Sequence, residues 1–547
     1  MNVAVETERE IVDPVPALER AWGRPKGFWH WLKDTDHKAI GRRYIFTSFV
    51  FFGLGGLLAV IMRLQMSHPD ATIVGPDRYN QIFTTHGTTM MFLFAVPVMQ
   101  GFGVYLVPLM VGTRNLAFPR LNAYGFWVYL IGAVFLWVGL LTDSGPDAGW
   151  FSYLPLAGPD YGVGKRMDIW AQMVTFTELS ALSVAINIIV TIFKHRAPGM
   201  ALHRMPMFCW AQLITNFMVI FAMPSVMLSS SMLASDRLIA THYFNQAEGS
   251  DPLLWQHLFW YFAHPEVYII FLPALGFVSS MIPPFARTKL VGYSVMVLTM
   301  SSTAFIGFGV WVHHMFATGL PQIGQSFFTA ASLLISIPTG IQIFLWISTM
   351  WRGRLRLATP MCFVLAFVTT FVIGGLTGVM LAAVPLDLQV HDTYFVVAHL
   401  HYVVIGGMVF PVFAAIYYWA PMVSGKPLSE RMGTWACALM FLGMNLTFLP
   451  MHLSGLLGMP RRVWTYPAGL GWEPWNLLST AGAFVLAAGV ALVLLDLLLH
   501  LRPSGKVDVN PWNAGTLEWL PLDNYASRSI PLVTSRDPLW DRPTLRE

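Results

Sequence analysis

Apolar residues in this chain gather into twelve runs separated by short polar connections. The runs fall at roughly 44–64, 85–111, 123–142, 169–193, 208–231, 257–283, 292–316, 324–350, 358–384, 395–421, 433–458 and 477–501. Crossing a hydrocarbon core ~30 Å thick takes ~20 helical residues, and every run supplies them. Strands of a membrane barrel would be about half as long and would alternate in polarity, so helices are the only spanning structure these runs allow. The predicted fold is all-α, a polytopic membrane protein built as a bundle of twelve transmembrane helices. The pattern divides the chain into an N-terminal segment 1–43, a helical domain 44–501 and a C-terminal tail 502–547.

Composition agrees with that pattern. Of 547 residues, 55% are hydrophobic and 11% charged, more apolar surface than a soluble fold buries. The net charge is only +4, and the basic residues sit in short loops rather than one tract, so the expected surrounding is membrane lipid and not nucleic acid. Their placement reports topology. Lys33, Lys38, Arg42, Arg43, Arg114, Arg120, Lys194, Arg196, Arg352 and Arg354 flank one end of the runs, whereas Arg78, Lys165, Arg166, Arg237, Arg461 and Arg462 are all that flank the other. The positive-inside tendency then puts both terminal segments in the cytoplasm, with the chain multi-pass in the inner membrane. The first run starts near Tyr44, too late for a cleaved signal peptide. Cys209, Cys362 and Cys437 lie far apart with no CxxC, which predicts neither a disulfide framework nor a zinc site.

Six histidines change the picture. His86, His264, His313, His314, His399 and His401 lie inside spanning runs, where a polar ring is costly. A lone membrane histidine is more often a structural hydrogen-bonding group than a ligand; six together reverse that expectation. Threading the runs through the topology places all six within ~10 Å of the outer surface: His86 opens the second run, His264 is two turns into the sixth, His313 and His314 close the seventh, and His399 and His401 follow the start of the tenth. A shared depth on four helices points to a shared layer of metals or cofactors.

Residues i and i+2 of a helix project ~200° apart, so His399 and His401 must face two centres on opposite sides of one helix. His313 and His314 project ~100° apart and reach one ion if the helix end distorts. With His264 they form a three-imidazole site with an open position, a set that suits copper, zinc or iron. Tyr268 lies at i+4 from His264, on the same face, where a phenol beside a redox metal supplies an electron and a proton. Glu266 points to another side of that helix, and an intramembrane carboxyl reads by default as a proton-handling group.

The segments TTHGTTMMF (84–92), WYFAHPEVYIIFLPALG (260–276), WVHHMF (311–316), HDTYFVVAHLHYVV (391–404) and MPRRV (459–463) resemble subunit I of the haem–copper oxidases of the cytochrome c oxidase type. The resemblance runs from about residue 30 to the TLEW motif near the C-terminal end. It implies that His86 and His401 are axial ligands of a low-spin haem, His399 the axial ligand of a high-spin haem, and His264, His313 and His314 the ligands of a copper ion, CuB. It makes Tyr268 the tyrosine cross-linked to the first copper histidine, and Arg461 and Arg462 the pair that holds haem propionates, where guanidinium groups offset carboxylate charge. Asp387 and Trp150 are implied as neighbours of those propionates, His391 and Asp392 as a magnesium (Mg2+) site, and Arg63 as the contact of a haem a formyl group.

The same resemblance implies the function: the catalytic subunit of a respiratory terminal oxidase. Such a subunit reduces O2 to water at the high-spin haem and copper, takes electrons through the low-spin haem and takes up protons from the inside. The implied cofactors are two haems, haem a and haem a3, with CuB and Mg2+. The implied partners are a subunit II carrying CuA or haem c, a subunit III, and cytochrome c as donor. Arg78 favours cytochrome c, because quinol-oxidising relatives tend to have histidine there.

Three departures matter. Asn115 in NLAFPR replaces the aspartate that opens one proton path of the family, and Gln342 in PTGIQ replaces the lysine of the other, although Thr339 and Ser279 keep polar groups nearby. Protons reaching Glu266 must then come by another route, and pumping is expected to be impaired or rerouted. Glu178, in TFTELSALS, stands where the family has a small apolar residue. It reads either as part of a replacement path or as a neutral carboxyl bonded across helices, and its position nearer the outer side favours the second. Two other functions fit less well. A nitric oxide reductase of the same superfamily would tolerate losing both paths but not need Tyr268 and three copper histidines together; a non-catalytic channel or transporter would bind no chromophore.

Overall fold

The computed structural model describes residues 27–162, 164–502, 510–520 and 532–541. The cytoplasmic positions expected for 1–26 and for the rest of the tail lie outside the described residues. Twelve helices among the described residues are long and apolar enough to cross a membrane: α1 (His37–Gln65), α2 (Pro76–Val111), α3 (Pro119–Leu141), α4 (Arg166–Lys194), α5 (Met207–Leu238), α6 (Leu253–Ala286), α7 (Tyr293–Thr318), α8 (Gln322–Arg352), α9 (Thr359–Ala382), α10 (Tyr394–Ser424), α11 (Glu430–Leu456) and α12 (Glu473–His500). Among them there is no strand, only one isolated bridge between Thr393 and Pro460.

Local chemistry sets the ends. Asp36 caps α1 by accepting from the backbone N–H groups of Lys38 and Ala39, Ser429 caps α11 through Met432, and Pro76 occupies the first turn of α2 where its missing N–H costs nothing. These starts precede the apolar runs, because capped polar turns add to a helix without adding hydropathy. His86 therefore lies ten residues into α2 and His264 eleven into α6, ~15 Å along each helix, deeper than the two turns expected for His264.

Burial orders the bundle. The apolar stretches of α2, α6 and α10 are 94%, 89% and 78% buried, against 22% for α1, α8 and α12. The central helices are thus three of the four that carry the histidines, while α7 and α8 turn Phe305, Phe344 and Trp351 outward to a lipid-facing surface. Small residues let backbones close. A Cβ at Gly443 would fall 2.2 Å from the Leu486 nitrogen, and one at Gly455 would fall 2.0 Å from the Phe395 nitrogen. Gly455 thereby seats the start of α10 against α11, one turn ahead of His399. Backbone on one side and backbone on the other leave nothing to shift, so the strain exceeds the ~1–3 kcal/mol usual for overpacking. Gly455→Leu is expected to abolish recovery of a monodisperse protein from detergent-extracted membranes, checked by gel filtration; a normal yield would refute the seating role.

Three segments depart from regular α-helix. Thr89–Ala95 in α2 and Tyr402–Val409 in α10 are π-helical, and Trp311–Thr318 closes α7 as a 3₁₀ helix. Each adjoins or contains the membrane histidines, the setting in which π turns are common.

Candidate metal and cofactor centre

The distortion expected at the end of α7 is the 3₁₀ turn that carries His313 and His314. Their Nε2 atoms are 3.1 Å apart, and His264 Nδ1 on α6 is 3.1 Å from His314 Nε2. One nitrogen from each of the three rings lies within 4.8 Å of the others. His264 Nε2 has no hydrogen-bond partner among the described residues. Neutral imidazoles crowded in this way cannot satisfy one another with protons, whereas a single cation satisfies all three, so the donor set fits a copper-class ion. The rings are held from behind. His313 Nδ1 faces the Ser332 hydroxyl at 2.9 Å, and Trp260 stacks on His314 with centroids 4.0 Å apart. Tyr268 meets the His264 ring edge to face at 4.8 Å, and Gly307 leaves the phenol ring its space, since a Cβ there would lie 2.9 Å from it.

On α10 the two histidines part as the i, i+2 spacing requires. His399 Nδ1 faces the Gly374 carbonyl at 3.0 Å and the Thr377 hydroxyl at 3.1 Å, both on α9. His401 instead stacks on Phe448 of α11, with its Nδ1 2.8 Å from the Val397 carbonyl. His86 Nδ1 is 2.8 Å from the Gly55 carbonyl of α1. In all three rings a carbonyl fixes the proton on Nδ1 and leaves the Nε2 lone pair able to bind a metal. Further histidines stand in the apolar runs outside the six, among them His257 near the start of α6 and His452 on α11, the latter buried, edge-on to Phe395 and tilted against Tyr402.

The connection before α10 and the loop after α11 meet at the Thr393–Pro460 bridge. Asp392 pairs with Arg462 at 3.3 Å and with Arg461 at 3.8 Å, and Arg462 also lies over the Phe151 ring. Burial and the neighbouring Arg461 charge pull the Arg462 guanidinium down to about 10, and burial lowers Arg461 as well. Among the described residues the one carboxylate paired with them, Asp392, is shared by both guanidinium groups. His391 binds the buried Asp387 carboxylate at 3.0 Å; burial alone would lower its imidazole, but the hydrogen bond and charge of Asp387 raise it overall. His391 and Asp392 join no third His, Cys, Asp or Glu in a cluster among the described residues. Trp150 packs on Trp260 and over Gly87, beside His86. Arg63 donates to the Asn476 side chain at 2.9 Å and leaves its Nε without a partner.

The inner polar positions are bonded to neighbours except at the Gln342 Oε1, which has no partner among the described residues. Asn115 donates to the Thr35 carbonyl and accepts from Leu116 N–H, Gln342 reaches the Thr303 hydroxyl at 3.4 Å, and Trp346 donates to Ser279. Glu266 is fully buried with neither carboxyl oxygen bonded.

Comparison with known proteins points one way. A family described as "Cytochrome C and Quinol oxidase polypeptide I" matches residues 39–485. Cytochrome c oxidase subunit 1 of Bacillus subtilis (strain 168) is 43% identical over 528 residues, covering 96% of this chain and 85% of the relative. The Synechocystis subunit of the same name is 44% identical over 88% of this chain and 87% of its own, and quinol oxidase subunit 1 of Bacillus subtilis is 40% identical over 94% and 80%. A solved structure described as a "heme-copper terminal oxidase dimer" shares the fold, with a TM-score of 0.72 and 19% identity over 86% of this chain and 85% of that one. The chain belongs to the cytochrome c and quinol oxidase polypeptide I family, and is a multi-span membrane oxidoreductase of the terminal-oxidase class.

Proposed function

We propose that this subunit reduces O2 to water, with copper on His264, His313 and His314, a high-spin haem on His399 and a low-spin haem between His86 and His401. The observation that carries the reading is the convergence of three imidazoles beside Tyr268. When bound, the haems and copper supply the electron transfer and oxygen binding that no side chain provides. The chain's residues do the rest. The Gly374, Val397 and Gly55 carbonyls orient the three haem-facing histidines, Ser332 and Trp260 hold the copper-facing ones, and the Tyr268 hydroxyl stands ready to give up a hydrogen atom. Glu266 holds and passes protons. Arg461 and Arg462 offer charge to propionates, with Asp387 and Trp150 alongside, and the free Nε of Arg63 suits a formyl oxygen, which favours haem a and haem a3. His391 and Asp392 contribute to a magnesium site completed by water or a partner.

No dicopper or haem c motif lies in this chain, so a subunit II delivers electrons, with a subunit III expected and cytochrome c as donor. Both terminal segments 1–43 and 502–547 belong on the cytoplasmic side of the inner membrane, and proton uptake from that side makes the reaction electrogenic. The amides at Asn115 and Gln342 support the nitric oxide reductase as the second reading. The test is one preparation of the intact oxidase: haem extraction, metal analysis, and turnover on O2 and on NO. Two haems, one copper and a preference for O2 are expected; a preference for NO would select the second reading, and an absence of haem bands would sink both.

A further inference from the structure

Glu178 has a place in the fold that its substitution for a small residue did not suggest. It lies twelve residues into α4 and Glu266 thirteen into α6, both ~18–20 Å from the outer ends of their helices, so the two carboxyls share one level in the bundle. They also share a cavity. Its lining includes Glu178, Glu266, Gln100, Thr177, Ser180 and Tyr129, and it has about 10 Å³ of space for water centres, room for about one water. The lining asks for a polar occupant. Glu178 is 1% exposed and its Oε2 has no partner, both Glu266 oxygens have none, and Gln100 directs an unpartnered amide nitrogen from a nearly buried side chain. No salt bridge reaches either carboxyl among the described residues, and a carboxylate without cation or donor is expensive at this level.

A polar stripe connects this cavity with the inner end of α4. Ser180, Ser183, Asn187 and Thr191 follow at spacings of three and four, so they form one face, and all are buried. Asn187 and Thr191 end the stripe against the loop that carries Asn115, accepting from the N–H groups of Phe118 and Ala117. Glu178 points away from that face of α4, but Ser180 at the end of the stripe and Glu178 both line the cavity, so the ionisable group missing at the entrance reappears where the polar line ends.

Resting on the oxidase reading above, we propose that Glu178 is a proton-relay residue: its carboxyl takes up a proton arriving along the α4 stripe and releases it, through one water, into the cavity it shares with Glu266. Each passage breaks one O–H bond at Glu178 and forms one at the water, and the carboxylate left behind is reprotonated from the inner side. No electron moves.

The test uses the complete oxidase with Glu178→Gln and Glu178→Asp, each checked for intact haem spectra. Glu178→Gln is expected to slow O2 turnover ~10-fold or more with the donor KM unchanged, and Glu178→Asp to recover much of it. The infrared difference spectrum between reduced and oxidised wild type should contain a protonated-carboxyl C=O band, sensitive to D2O, that Glu178→Gln lacks. Turnover within about twofold of wild type would overturn the relay, and so would lost turnover with an unchanged infrared spectrum, which marks a packing role. Should Glu178→Gln lose its haems, Glu178→Asp decides: a shifted C=O band supports the relay and an unshifted one overturns it. A wild type that fails to reduce O2 would instead remove the oxidase reading itself.

Discussion

His313→Asn is expected to leave a protein with normal low-spin haem bands, almost no copper, and O2 consumption reduced more than ~100-fold. Residues that merely orient a metal ligand are worth ~10–100-fold in affinity or activity, and loss of one ligand of three must exceed that. The orienting group here is Ser332, 2.9 Å from His313 Nδ1, so Ser332→Ala provides the internal scale: its loss should fall in the smaller range. His401 is on another helix face and its surroundings do not include the 3₁₀ turn, which is why the low-spin bands should survive. Metal analysis beside an oxygen electrode checks both claims, and a His313→Asn protein that keeps a full copper would refute the assignment of the site.

Tyr268→Phe separates geometry from chemistry at the same place. Phenylalanine preserves the edge-to-face contact with His264 and the fit over Gly307, so copper and both haems should remain. Only the hydroxyl is lost, and with it a hydrogen atom that the open position of the site would otherwise draw on. Turnover on O2 should drop ~100-fold or more, in the range that a positioned proton donor contributes. Unimpaired turnover by a fully metallated Tyr268→Phe oxidase would return this residue to packing.

Both tests concern groups that were legible in the sequence, for a physical reason. A histidine in a spanning run is expensive, so its presence declares a use, and the i, i+2 and i, i+4 spacings of α10 and α6 convert directly into faces. His399 and His401 do turn to α9 and α11, and Tyr268 does lie on the His264 ring. What the pattern hid was of two kinds. Backbone departures over seven or eight residues do not alter apolar content enough to change a periodicity, so the π turns at Thr89–Ala95 and Tyr402–Val409 left no trace, and helical turns that begin ahead of the apolar runs made α2 and α6 longer than those runs. Partners across the bundle were hidden as well. Glu178 reads from the sequence either as part of a replacement path or, the favoured reading, as a carboxyl bonded across helices; among the described residues its Oε2 has no partner, and it lines a cavity together with Glu266. Counting residues along α4 alone gave its depth but not what stood opposite.

The π turn in α10 has a further consequence for how this chain tolerates change. A regular helix is one rigid screw: rotating its first turns to aim a ligand rotates its last turns equally, and every packing contact below must follow. Between His401 and Phe410 the screw has a different pitch, with more residues to the turn than the 3.6 of an α-helix. The upper part of α10 can therefore keep the angular setting that its histidines need, while the lower part, from Phe410 to Trp419, keeps the one that its buried aromatic residues need. The segment acts as a gear change between two phases of one helix, and the two ends are free to drift in sequence on separate terms.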